Sequence, residues 1–208
     1  MKRAALRHLT WVIPAAAALL PTVAEAHLVV TGMGPIYDGI SHFAWSPEDF
    51  LPAIALAFFA GLRGPAHARA ALAALPVAMF AGGVAALLGL ALPPLVLPVS
   101  TALLFLIVGG LLAADANVPP AVCATLGAAL SMVRGIDDVA GVPASLAHVL
   151  SLLGMCASVF VVFAIAASVT LPLQRAWMIV AARVSGSWLA ALGLLLTGWI
   201  IRYGALVR

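Results

Sequence analysis

Charged side chains are scarce in this sequence, at 8% of 208 residues, where a soluble domain carries about a quarter. That shortage excludes a water-soluble globule, because too little polar surface exists to coat one. With 65% hydrophobic residues and a mean hydropathy of +1.20, the chain reads as an integral membrane protein whose first partner is the lipid bilayer. Aromatic residues are also few, at 7%, and Ala, Leu, Gly and Val dominate. Small side chains let helix backbones approach closely in lipid, where packing drives association. There are only two cysteines, Cys123 and Cys156. Both fall inside apolar runs, which predicts small buried hydrophobes rather than a disulfide framework. No basic patch interleaved with aromatics is present, which excludes nucleic acid as a partner.

The motifs of common enzymes are missing as well. There is no Gly-x-Ser-x-Gly elbow, no His-Glu-x-x-His, no Cys-x-x-Cys and no phosphate-binding glycine loop. The expected middle of the membrane offers only hydroxyls such as Ser100, Thr101, Thr125, Ser131, Ser151 and Ser158. No charge stands there to relay a proton. The chain is therefore read as a non-enzyme.

What is present begins with a leader. Residues 1–26 combine a basic start (Lys2, Arg3, Arg7), an apolar run from Leu9 to Leu20, and small residues at Ala24 and Ala26, the three parts of a secretory signal peptide. Cleavage after Ala26 would make His27 the mature amino terminus. Removing the leader leaves seven basic and six acidic residues, so the sequence pI of about 9.4 says little about partners. The bland alternative is an uncleaved first helix, against which Pro14, Pro21 and the short apolar run argue.

The rest predicts an all-α, polytopic membrane helix bundle, with six transmembrane helices in a single domain over residues 27–208. Residues 27–47 form a short periplasmic interfacial segment, with a surface helix from Pro35 to Trp45. Ser46, Pro47, Glu48 and Asp49 then supply a cap, a first-turn proline and first-turn acids for the first span. The spans are expected at Glu48–Leu62, Ala70–Ala91, Leu95–Ala114, Pro119–Arg134, Pro143–Leu171 and Trp177–Tyr203. The first and fourth are short for a bilayer of about 30 Å, and Pro76 reads as a kink. An exported amino terminus leaves Arg63, Arg69, Arg175 and Arg183 on the cytoplasmic side, as the positive-inside rule asks of a protein in the bacterial inner membrane. Arg134, Arg202 and Arg208 fall on the other side, so the asymmetry is real but incomplete.

On that topology the polar groups collect outside. His27, Asp38 and His42 come from the amino-terminal stretch, Arg134, Asp137 and Asp138 from the loop between spans four and five, and His148 from the start of span five. Asp38 and His42 are four apart and stack on one helix face. Imidazoles with carboxylates suit nickel, cobalt, copper or zinc, and a free α-amine beside the His27 ring adds a bidentate pair. Each has a plainer reading. Asp38 serves as a helix-start acid, His42 hydrogen-bonds locally, Asp137-Asp138 forms a solvated turn ended by Gly141 and Pro143, and His67 is a loop residue. His148 inside a span needs a partner. Met132, Met155 and Cys156 fit packing better than a soft-metal path.

The stretch Ala26-His27, then Gly32-x-Gly-Pro-Ile-Tyr-Asp-Gly-Ile-Ser-His42, then the Pro47-Glu-Asp-led helix into Leu56-Ala-Phe-Phe-Ala-Gly-Leu resembles the HupE/UreJ family. Those are small six-helix membrane proteins associated with nickel or cobalt uptake for hydrogenase and urease. Against the family's His-Pro-x-x-Gly-x-Asp-His signature, only Asp38, Gly39 and His42 stand here, in a different order and spacing, which marks a divergent branch. The resemblance implies metal ligation by His27, Asp38 and His42. Where relatives often carry a His-Gly pair, this sequence has Arg134-Gly135, a cation that opposes a bound metal unless Asp137 or Asp138 neutralises it. The expected function is an uptake transporter or metal-binding accessory for nickel or cobalt, with His148 and Asp137 or Asp138 as a second contribution to the site. A structural or assembly subunit of a larger membrane complex is the alternative, with the glycine faces serving internal packing or docking, and a second copy of the chain is left open as a partner. A membrane enzyme using metal-bound water at the same cluster is the third class.

Overall fold

Proline opens four of the helices. Pro35, Pro47, Pro65 and Pro120 each stand at the first helical position, where the missing N–H would have had no intrahelical partner. The computed structural model describes residues 31–172 and 176–203. The leader, His27, Arg175 and the last five residues lie outside them. Among the described residues there are seven α-helices and no strand: α1 (Pro35–Trp45), α2 (Pro47–Arg63), α3 (Pro65–Leu87), α4 (Val96–Ala113), α5 (Pro120–Asp138), α6 (Leu146–Thr170) and α7 (Ala176–Tyr203).

Four of these, α3, α4, α6 and α7, are long and apolar enough to cross a membrane, which makes the chain a multi-pass membrane protein. The other two expected spans fall short for separate reasons. Helix α2 has 17 residues, about 25 Å at 1.5 Å per residue, and carries two acids in its first turn. Helix α5 ends in Arg134, Asp137 and Asp138, and each intramembrane charge is costly. Both helices are nonetheless strongly buried. Helix α2 sits centrally and touches each of the other six, with Ala53, Leu56, Ala57, Phe59 and Ala60 fully enclosed.

Three helix pairs carry most of the remaining packing: α3 with α5, α4 with α7, and α1 with α6. Each is closed by glycines facing backbone from both sides. A Cβ at Gly82 would strike the Met132 carbonyl and one at Gly135 the Met79 carbonyl. Gly109 and Gly186 face each other's backbone, as do Gly39 with Ser151 and Gly154 with Ile36. Backbones this close gain dispersion contact and hold their neighbours in fixed register. The Gly82, Gly109, Gly186 and Gly193 faces are thus used internally. Cys123 and Cys156 are free and buried.

Two local expectations are corrected. Ser46 begins α2 but makes no side-chain cap; its hydroxyl donates backward to the His42 carbonyl at 2.8 Å, tying the end of α1 to the start of α2. The pair Asp137-Asp138 is not a turn. It forms the last turn of α5, because the buried stripe Gly127, Ser131, Arg134 continues at helical spacing to 138.

Candidate metal centre

Polar side chains gather at two ends of the bundle. At one, Arg63 at the end of α2 is paired with Asp115, His67 Nε2 lies 2.7 Å from the Val118 carbonyl, and Arg183 donates to the Ala113 carbonyl at 2.9 Å. These three side chains hold the connection between α4 and α5. His67 is thus a residue of α3 with a tertiary partner rather than a loop residue. The other end lies roughly 21 Å away along α2, and there α1, α2, α4 and α5 converge.

There His42, in the last turn of α1, places Nε2 3.1 Å from Asp138 Oδ1. An imidazole suits a helix C-terminus, whereas a carboxylate at the C-terminus of α5 opposes that helix's dipole. The pairing relieves Asp138 of that conflict. It also raises the His42 pKa above its ordinary 6.5: the hydrogen bond to Asp138 is the main cause, burial acts against it, and the charges of Asp138, Asp49 and Glu48 add to it. Asp49, from the first turn of α2, completes a group in which His42, Asp49 and Asp138 each offer a ligand atom, all within 4.8 Å of one another. One imidazole nitrogen and two carboxylate oxygens form a donor set that fits a divalent transition metal.

Asp49 is 3% exposed and Arg134 5%, with Arg134 Nε 2.9 Å from Asp49 Oδ1. The N–H does not point at that oxygen, which is left without a hydrogen bond. Arg134 also donates to Thr101 Oγ1 at 2.8 Å and to the Glu48 carbonyl at 3.3 Å. The carbonyl is available because Pro52, four residues on and inside α2, has no N–H to offer it. Asp49, rather than Asp137 or Asp138, is therefore the acid against Arg134.

Of the other expected ligands among the described residues, Asp38, Asp137 and His148 are not members of this group. Asp38 accepts from the Thr31 hydroxyl at 2.7 Å and the Thr31 amide at 2.6 Å, and these bonds lower its pKa. His148 uses Nδ1 on the Pro143 carbonyl at 2.7 Å and Ser145 Oγ at 2.9 Å, in the first turn of α6. Asp137 precedes Asp138 in the last turn of α5 and is not a member of the three-residue group. His27 lies outside the described residues. Read locally, Asp49 is a helix-start acid, and nothing in its immediate sequence marks it as a ligand. Its spacing to Ala53, Leu56 and Ala60, all buried, puts it on the inward stripe of α2, and that signal was available.

A family model described as HupE / UreJ protein matches residues 15–196. No curated protein and no solved structure matches the chain.

Proposed function

The chain belongs to the HupE/UreJ family, which is associated with nickel and cobalt uptake, and from that premise we propose that it handles one of these ions at the His42–Asp49–Asp138 group, as an inner-membrane transporter or metal-binding accessory. The observation that carries the reading is the convergence of one imidazole and two carboxylates within 4.8 Å, from the consecutive helices α1 and α2 and from α5, distant in sequence. Copper and zinc satisfy the same donors, and copper binds such sites more tightly, so selectivity for nickel or cobalt would rest on supply and geometry. The group faces the periplasm on the topology the arginines favour, with Arg63, Arg69 and Arg183 cytoplasmic. Within this reading a signal peptide over 1–26 is removed. His27, Asp38, Asp137 and His148 then become ligands that approach the ion on its way to or from the group. The family consists of membrane transport and accessory proteins, and no catalytic step is assigned.

The test is elemental mass spectrometry of the purified mature protein, with intact mass measured on the same sample. Stoichiometric nickel or cobalt that disappears in His42→Ala supports the site, and an intact mass beginning at His27 supports the cleavage. A protein without metal under ample supply, unchanged in His42→Ala, sinks the reading. One observation favours a second reading, an assembly subunit. An apolar groove of about 480 Å³ runs between α2, α4 and α7, lined by Phe58, Leu112, Trp188 and Leu192 among others. Co-purification of a stoichiometric membrane partner, lost when Trp188 is replaced by Ala, would support it.

A further inference from the structure

We propose that Arg134 is an internal counter-cation that competes with the metal ion for the Asp49 carboxylate and so sets how tightly the site holds its cargo. The inference rests on the metal-site reading above and deepens it, since that reading gives Arg134 no part.

Arg134 is fixed in place. Its guanidinium meets Thr101 Oγ1 at 2.8 Å from α4, the Glu48 carbonyl at 3.3 Å and Asp49 Oδ1 at 2.9 Å from α2. With 5% of its surface exposed, it is held inside the bundle by these three partners. Asp49 stands between this cation and the group it shares with His42 and Asp138. The Asp49–Arg134 pair is close but unsaturated, because Asp49 Oδ1 receives no hydrogen bond. Ser131 Oγ, one turn back along α5, is likewise buried without a partner, and it lines the same narrow cleft as Asp49 and Arg134. A carboxylate with acceptor capacity in reserve, beside a cation that only partly uses it, can serve a second cation.

The charges give the direction. With His42 neutral and both acids ionised, the group carries two negative charges, and Arg134 cancels one. A divalent ion then leaves an excess positive charge, whereas without Arg134 it would leave none. Repulsion between a divalent ion and a buried unit charge a few ångströms away, even at an effective dielectric of about 20, corresponds to at least about tenfold in affinity. The fixed cation also offsets part of the cost of burying the Asp49 carboxylate when no metal is bound. Both effects suit a protein that must give up its ion.

The experiment is calorimetric titration of the metal-free, full-chain protein in detergent with cobalt(II) chloride. Arg134→Gln is expected to bind cobalt at least about tenfold more tightly than wild type. Arg134→Lys, which keeps the charge, should stay close to wild type, and the Asp49→Asn/Arg134→Gln double variant should lose the gain. Equal or weaker binding by Arg134→Gln overturns the proposal. If wild-type binding is at the same time abolished by His42→Ala, the site reading survives that failure. If neither wild type nor Arg134→Gln binds cobalt, both fall. Because Arg134→Gln leaves Asp49 buried without a counter-charge, thermal unfolding with and without saturating cobalt accompanies the titration. A larger cobalt-induced gain in Tm for Arg134→Gln than for wild type supports the proposal. An equal or smaller gain, or a variant that cobalt does not rescue, overturns it.

Discussion

His42 and Asp138 are 96 residues apart in the chain, yet each answers a need of the other. The imidazole gains a carboxylate that favours its charged form, and the carboxylate gains a cation at a helix end that otherwise repels it. The sign of the pH dependence follows from the raised His42 pKa. The ion pair's contribution to stability is fully present below the ordinary imidazole value of 6.5 and is lost as pH rises through the raised value of the folded protein. In metal-free protein the His42 ring should titrate with a midpoint above 6.5 by NMR, and in Asp138→Asn the midpoint should fall back toward it. An unchanged midpoint in that variant would count against the pairing. Thr101 is the second residue to probe. Thr101→Val removes the hydroxyl that accepts from Arg134 at 2.8 Å while preserving shape. Leaving a buried charged donor short of an acceptor costs about 1.5–3 kcal/mol, so a lowered Tm is expected.

At the scale of elements, the glycines set which helices meet. Gly109 and Gly110 are neighbours on α4, but only Gly109 faces backbone; a Cβ there would crowd Ala190 and Gly186 of α7, whereas nothing lies within 4 Å of one at Gly110. Gly110→Ala should therefore be neutral or stabilising by up to about 1 kcal/mol, since alanine is the better helix former. Gly109→Ala should destabilise by about 1–3 kcal/mol as α4 and α7 are pushed apart. Thermal unfolding of the two variants in the same detergent decides it, and equal shifts would mean that α4 and α7 do not pack through Gly109. Helix α7 is the sensitive partner. Its buried residues, Ala182, Gly186, Leu189 and Gly193, form one narrow stripe, and Trp177, Trp188 and Trp199 are exposed on its other faces.

For the molecule as a whole, the contacts divide the polar groups between two ends. Arg63, His67, Asp115 and Arg183 are at one, and His42, Asp49, Arg134 and Asp138 at the other. The proposed orientation puts the first set in the cytoplasm. Both native cysteines are buried, so introduced thiols should report with little background. In intact spheroplasts a membrane-impermeant maleimide is expected to label Met33→Cys and Leu90→Cys, which replace exposed residues at the metal-site end. It should reach Arg69→Cys only after lysis. The reverse pattern would invert the topology and place the metal group inside.

Much of this was legible in the chain itself. Composition required a membrane protein, proline placement marked the helix starts at Pro35 and Pro47, and turn residues between apolar runs separated the helices, although the second span begins at Pro65, inside what reads as a loop before Ala70. These features are local, set by hydropathy and by backbone chemistry within a few residues. The site was legible only in part. His42 and Asp138 stand out as rare polar groups, but Asp49 reads locally as a helix-start acid and Arg134 as a charge at the end of a span. Which acid answers Arg134 depends on how α2 and α5 rotate and cross. That is decided by the glycine contacts that fix α3 on α5 and by the burial of α2 among all its neighbours. The sequence determined which side chains were available for chemistry. Only the packing decided their partners, because a buried charge takes whichever counter-charge the helix faces bring within reach.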